Sequence, residues 1–225
     1  MKRVYIICEG QTEETFVNDL LVDIFARNGI YLTARMISSS PGHRGGALSY
    51  DRVKRFVVNT LKEDPTSYIT TFFDLYALDN HFPSFTNAMS KSDVYEKSAL
   101  LEEAFYTDIV AIEESARERF FPHIQPYEFE ALLFSDIEKA LVFEPTWAMY
   151  ADDLVQIRNG VESPEHINDG YETKPSARLT TILSNPSYKK RLHGSACLNE
   201  IGIDAILREC HHFNGWYNKL LTLRS

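Results

Sequence analysis

The chain has 225 residues, 44% of them hydrophobic, and a formal net charge of −9 with a pI near 5.3. That is enough apolar material for one substantial core, and the acidic balance argues against a surface that grips nucleic acid unaided through clustered Lys and Arg. No run approaches the roughly 18–20 apolar residues that span a bilayer, so no membrane partner is expected, and three widely spaced cysteines, Cys8, Cys197 and Cys210, suit a reducing cytoplasm better than a disulfide scaffold.

Val4 to Cys8 is a short, β-branched apolar run closed by Glu9-Gly10, and reads as a buried parallel strand entering a turn. A helix follows: Phe16, Leu20, Leu21, Ile24 and Phe25 fall at helical spacing, Thr12 can cap, Glu13 and Glu14 suit the positive end of the dipole, and Asn28-Gly29 is the stop. Ile30 to Ile37 reads as a second strand, residues 38–46 as a loop, and Val53, Phe56, Val57 and Leu61 as one face of a helix ending near Asp64-Pro65. Tyr68 to Phe73, closed by Asp74, is the third strand.

Residues 75–100 lack a clean period and read as a loop-rich excursion before a helix from about Ser98 to Arg119. Phe120 to Tyr127 is a fourth strand whose prolines place it at a sheet edge or make it irregular, and Glu128 to Phe134 reads as helical. Strands alternating with helices predict an α/β fold with a mostly parallel sheet covered on both faces. Residues 1–135 form that core, and residues 136–225 a helical extension packed on it, broken at Ser163-Pro164, Lys174-Pro175 and Asn185-Pro186.

In a parallel sheet, Glu9 ends the first strand, Asp74 ends the third, and Glu128 with Glu130 follows the fourth, so acids far apart in sequence converge on the edge where α/β ligands bind. Hard oxygen donors there suit Mg²⁺ or Mn²⁺, which polarises a phosphoryl oxygen and activates water. Gly10 lets the backbone turn beside Glu9, and Arg44 with His43, in the glycine-rich loop, can meet phosphate. Cys210-His211-His212 lacks a second cluster with zinc-ligand spacing, and His123 reads as a core or edge histidine.

The segment Val4-Tyr5-Ile6-Ile7-Cys8-Glu9-Gly10-Gln11-Thr12-Glu13 resembles the opening motif of TOPRIM domains, especially those of overcoming-lysogenization-defect (OLD) nucleases, and Phe73-Asp74 sits where that fold places its second acidic motif. With Tyr127 to Phe134 and Pro175 to Leu179, the whole chain further resembles a bacterial family of small TOPRIM-like proteins, often encoded beside an ABC-like ATPase and associated with phage defence. The resemblance implies a TOPRIM-like fold and a Mg²⁺-dependent nuclease acting on DNA or RNA, with Glu9 as metal ligand or general acid–base and Asp74 as metal ligand. Lys174 and Arg178 would face the anionic substrate.

The second motif departs from the expected Asp-x-Asp, because Asp74-Leu75-Tyr76 has tyrosine in the second acidic place. Asp79 would substitute if the loop folds back, or Glu128 or Glu130 would complete the ligand set. The same departure, with the acidic charge, suits a rival reading: a regulatory subunit that keeps the pocket and docks to an ATPase. A phosphotransfer enzyme acting on small molecules is a third. Self-association into a homo-oligomer is left open.

Overall fold

A computed structural model describes residues 1–37, 48–168, 170 and 172–224. Its sheet is parallel throughout: β1 (Lys2–Cys8) lies between β2 (Ile30–Met36) and β3 (Tyr68–Asp74), pairing Val4 with Leu32 on one side and with Tyr68 on the other. The strand order is β2-β1-β3-β4, with β4 (Phe120–Phe121) on the outer side of β3 and β5 (Ile124–Gln125) pairing further along it. The predicted fourth strand is thus two short pieces at the sheet edge, separated at Pro122-His123, where proline has no N–H to give the ladder. The chain passes from β1 to one neighbour and returns to the other, so the strand order reverses between β1 and β3, where open α/β sheets leave a crevice at the carboxyl ends.

Period-two alternation sends the strand side chains to two cores. Val4, Ile6, Cys8 and Phe72 enter one, and Ile7, Ile69 and Phe73 the other. The first helix keeps its predicted span but not a uniform winding: α1 (Gln11–Phe16) passes through a π-helical turn, Val17–Leu21, into α2 (Val22–Ala26). Gly29 follows in the left-handed region, at φ 73°, as the stop signal requires. Against the other face lie α3 (Tyr50–Glu63), α4 (Phe85–Met89) and α5 (Val94–Ile112), the first and last contributing Val53, Val57, Leu101 and Phe105 to the core. The excursion is therefore more ordered than its composition suggests. α5 begins a turn before Ser98 because Asp93 caps it, accepting the Glu96 N–H at 3.0 Å, and a 3₁₀ turn at Glu114–Glu118 follows its end at Ile112.

Phe129–Ser135 is a 3₁₀ segment rather than an α-helix, and every residue in it is buried. Beyond it come α6 (Ile137–Ala140), α7 (Ala151–Asn159), α8 (Pro175–Ile182), α9 (Lys190–Ile201), α10 (Ile203–Glu209) and α11 (His211–Leu221). Their buried apolar residues, Leu154, Leu198, Phe213 and Leu220 among them, belong to the same core as Val4, Ile6 and Phe16, so the helical C-terminal region packs directly on one face of the sheet. No helix among the described residues is long and apolar enough to cross a membrane.

α9 approaches α1 through Gly194. A Cβ there would lie 3.0 Å from Thr12 Cγ2 and 3.4 Å from both Phe129 Cε1 and Tyr188 Oη. Gly194→Val is expected to destabilise the protein by about 2 kcal/mol through overpacking, whereas Gly215→Ala in α11, with nothing within 4 Å of its added methyl, is expected to be neutral or stabilising. Urea unfolding of the two variants checks the contrast, and equal effects would refute the close approach.

Candidate functional site

The site is built on the ends of β1 and β3. Glu9 follows β1 and Asp74 closes β3, two neighbouring parallel strands, so both carboxylates emerge at the reversal in strand order. The 3₁₀ segment after β5 brings Glu130, and the first turn of α1 brings Glu13. Lys190, the first residue of α9, reaches in among them: its Nζ lies 3.0 Å from Glu13 Oε1, 3.2 Å from Asp74 Oδ2 and 3.2 Å from Glu130 Oε2. The other oxygen of Asp74 accepts the Phe129 N–H at 2.7 Å, which orients the carboxylate.

One ammonium does not satisfy four acids. Glu9 Oε2 and Glu130 Oε1 are buried without a hydrogen-bond partner among the described residues, an arrangement proteins seldom keep unless a cation or proton completes it. Burial, reinforced by Glu13 and opposed by Lys190, pushes the Glu9 carboxyl up to about 7. Burial raises Asp74 well above the usual carboxylate range, with Lys190 opposing it and Glu13, Glu9 and Glu130 adding to it, and burial likewise raises Glu130 against Lys190. Burial alone would push the Lys190 ammonium down, but Asp74, Glu130 and Glu13 together hold it well above the ordinary lysine range. Burial and like charge on the carboxyls, and the surrounding acids on the ammonium, thus push in the same direction, toward keeping their protons.

Glu9, Asp74 and Glu130 are brought together as the sequence suggested, and Glu13 joins them. Glu13 does more than complement a dipole, being 3% exposed and ion-paired. Gly10 serves a different purpose from the expected sharp turn: its backbone is extended, at φ −148°, and its missing Cβ leaves room for Glu13 Oε2, which would lie 3.2 Å from it. Glu128 is committed elsewhere, accepting from Lys174 Nζ at 2.8 Å and from the Ser176 N–H at 2.9 Å, so it anchors the start of α8. Lys174 is thereby held by Glu128, and Arg178 donates its Nε to the Thr173 carbonyl at 2.6 Å. Asp79 supports the start of α3, accepting the Tyr50 N–H at 3.2 Å and the His81 N–H at 3.0 Å. Tyr76 packs its ring 5.4 Å from Tyr127, whose own backbone is left-handed at φ 54°, a conformation costly for an aromatic residue, immediately before Glu128. Arg44 and His43 lie outside the described residues.

Sequence reasoning missed Lys190. Its one signal is the basic triplet Lys189-Lys190-Arg191 at a helix start, where the dipole disfavours positive charge. It did not single out Glu102, and it set His212 aside for want of a second ligand cluster and read His123 as a core or edge histidine; the three lie far apart in sequence yet bring their ligand-type atoms within 4.8 Å of one another.

A family model described as a domain of unknown function (DUF4276) matches residues 8–221, nearly the whole chain, and the chain belongs to that family. No curated protein matches the chain. No solved structure does so either.

Proposed function

We propose that this DUF4276 protein is a metal-dependent, TOPRIM-like nuclease that hydrolyses phosphodiesters in DNA or RNA at the carboxylate pocket, as the effector of a phage-defence system. The observation that carries the reading is the convergence of Glu9, Glu13, Asp74 and Glu130 at the ends of β1 and β3, with buried oxygens on Glu9 and Glu130 left unpaired. The opening motif around Glu9-Gly10 and its resemblance to OLD nucleases support the choice of substrate class.

The donor set fits a hard divalent cation: all-oxygen, multiply anionic, and short of positive charge. Glu9, Asp74 and Glu130 would hold Mg²⁺ or Mn²⁺, which when bound polarises a phosphoryl oxygen and eases ionisation of water. The chain's own groups then have separate tasks. Glu9, whose carboxyl is pushed up to about 7 while the pocket holds no ion, would give up its proton as the ion binds. Phe129 N–H keeps Asp74 oriented. Lys190 supplies the fixed positive charge beside which a phosphate can approach, flanked by the exposed Lys189 and Arg191 on an otherwise acidic protein.

Purified protein incubated with plasmid and single-stranded RNA, with Mg²⁺ or Mn²⁺ against EDTA, tests the reading: ion-dependent cleavage of either polymer is the expected result. One observation favours a second reading. Lys190 already neutralises part of the pocket, as would suit a regulatory module that keeps the acids as structure and docks to an ABC-like ATPase. Absence of cleavage by the protein alone, with cleavage appearing only on addition of such an ATPase, would favour that module.

A further inference from the structure

Beside Phe72, whose ring stacks on Trp216, a second group of side chains gathers from three elements: Glu102 of α5, His123 between β4 and β5, and His212 of α11. His212 Nε2 lies 2.8 Å from Glu102 Oε1, and His123 Nδ1 lies 3.5 Å from the same oxygen. That oxygen also accepts the Ile124 N–H at 2.7 Å.

The proton on His123 can be placed from its surroundings. Glu165 is fully buried, and its carboxyl oxygens accept the His212 N–H at 2.8 Å and the Phe213 N–H at 3.0 Å at the start of α11. Gln125 donates its amide nitrogen to Glu165 Oε1, at 3.2 Å, and turns its carbonyl oxygen to His123 Nε2, at 3.3 Å. His123 then carries its proton on Nε2, and the lone pair of Nδ1 faces the Glu102 carboxylate. Two acceptors confront each other next to a ring that is 1% exposed, a contact that is repulsive unless a cation lies between them.

We propose that Glu102, His123 and His212 form a binding site for one divalent ion of the zinc class, distinct from the all-oxygen pocket. Two imidazole nitrogens and one carboxylate are the donor set of an open zinc-type site, with a coordination position left for water or an incoming ligand. The 3.5 Å separation of Nδ1 from Oε1 matches the edge of a tetrahedron around an ion with ligands at about 2.1 Å, and the 2.8 Å contact of His212 Nε2 with the same oxygen must lengthen toward that edge as the ion enters. The ion takes the place of the proton that His212 Nε2 shares with Glu102, releasing it to solvent. Outer groups hold the ligands in place: Gln125 orients His123, Trp216 stacks on His123 at 4.8 Å, and Tyr95 stacks on His212 at 6.0 Å. The Glu102 and His212 side chains are 20% and 15% exposed, which leaves the ion a way in.

The test is titration of EDTA-treated, dialysed full-length protein with Zn²⁺ by calorimetry, and with Co²⁺ by visible absorption. Wild type is compared with Glu102→Gln, His212→Gln and the pocket variant Glu9→Gln, each checked for folding by circular dichroism. We expect a tight equivalent with a Co²⁺ ligand-field band that wild type and Glu9→Gln share, separate from the carboxylate pocket's own binding of the ion, which Glu9→Gln weakens. Affinity should fall about 100-fold in whichever of the Glu102 and His212 variants folds, and about tenfold in Gln125→Leu, which removes the group orienting His123. Failure of wild type to saturate, equal binding by the Glu102 and His212 variants, or loss of the site with Glu9→Gln would each overturn the assignment.

Discussion

Glu9→Gln is expected to lower Mg²⁺-supported phosphodiester cleavage by about 100-fold or more and, in the same protein, to raise folding stability above neutral pH. The two effects have one cause. The Glu9 carboxylate sits at the end of a buried strand among like charges, which is useful for holding a cation or a proton and costly when neither is present. Its folded pKa is pushed up to about 7 from an ordinary 4.5. The folded protein thus retains a proton that the unfolded chain releases, and the stability associated with protonated Glu9 is complete below pH 4.5 and lost as pH rises through about 7. Glutamine has no charge to desolvate. The stability gap between variant and wild type should therefore widen from about 0.5 kcal/mol at pH 5 to about 2 kcal/mol at pH 8, allowing for partial exposure. Urea unfolding in EDTA at the two pH values measures it, alongside the cleavage assay. A folded Glu9→Gln protein that cleaves at the wild-type rate would remove Glu9 from the mechanism, and a pH-independent gap would mean that its carboxylate is solvated.

Lys190→Ala acts in the opposite sense. Removing the ammonium leaves Glu13, Asp74 and Glu130 facing one another with no internal cation, and the metal-free variant is expected to be about 2 kcal/mol less stable at pH 8. The loss should shrink as pH falls, because Asp74 and Glu130, both raised above the ordinary carboxylate range, take up protons and the repulsion fades. Mg²⁺ should then stabilise the variant more than the wild type, since an ion entering the emptied pocket meets no resident positive charge. Thermal melts with and without Mg²⁺ read this directly. Equal Mg²⁺ shifts in both proteins would show that Lys190 and the metal do not compete, and no shift in either would favour the regulatory module over the nuclease.

The features legible along the chain are those carried by residues close together in it. The β-branched run closed by Glu9-Gly10, the Asn28-Gly29 stop and the run ending at Asp74 mark out β1, the first helix and β3, and a parallel arrangement then obliges Glu9 and Asp74 to share an edge. The prolines around His123 likewise foretold a broken edge strand. Long-range packing settles which way later side chains turn and what they meet. The 3₁₀ winding of Phe129–Ser135 buries Glu130 in the pocket while Glu128 reaches α8, a distinction that two acids spaced by one residue cannot reveal in advance. Lys190 meets Asp74 across 116 residues, and His212 meets Glu102 across 110. Such pairs leave no periodicity to read, because they are positioned by the packing of α9 and α11 on the sheet rather than by any local preference of the backbone.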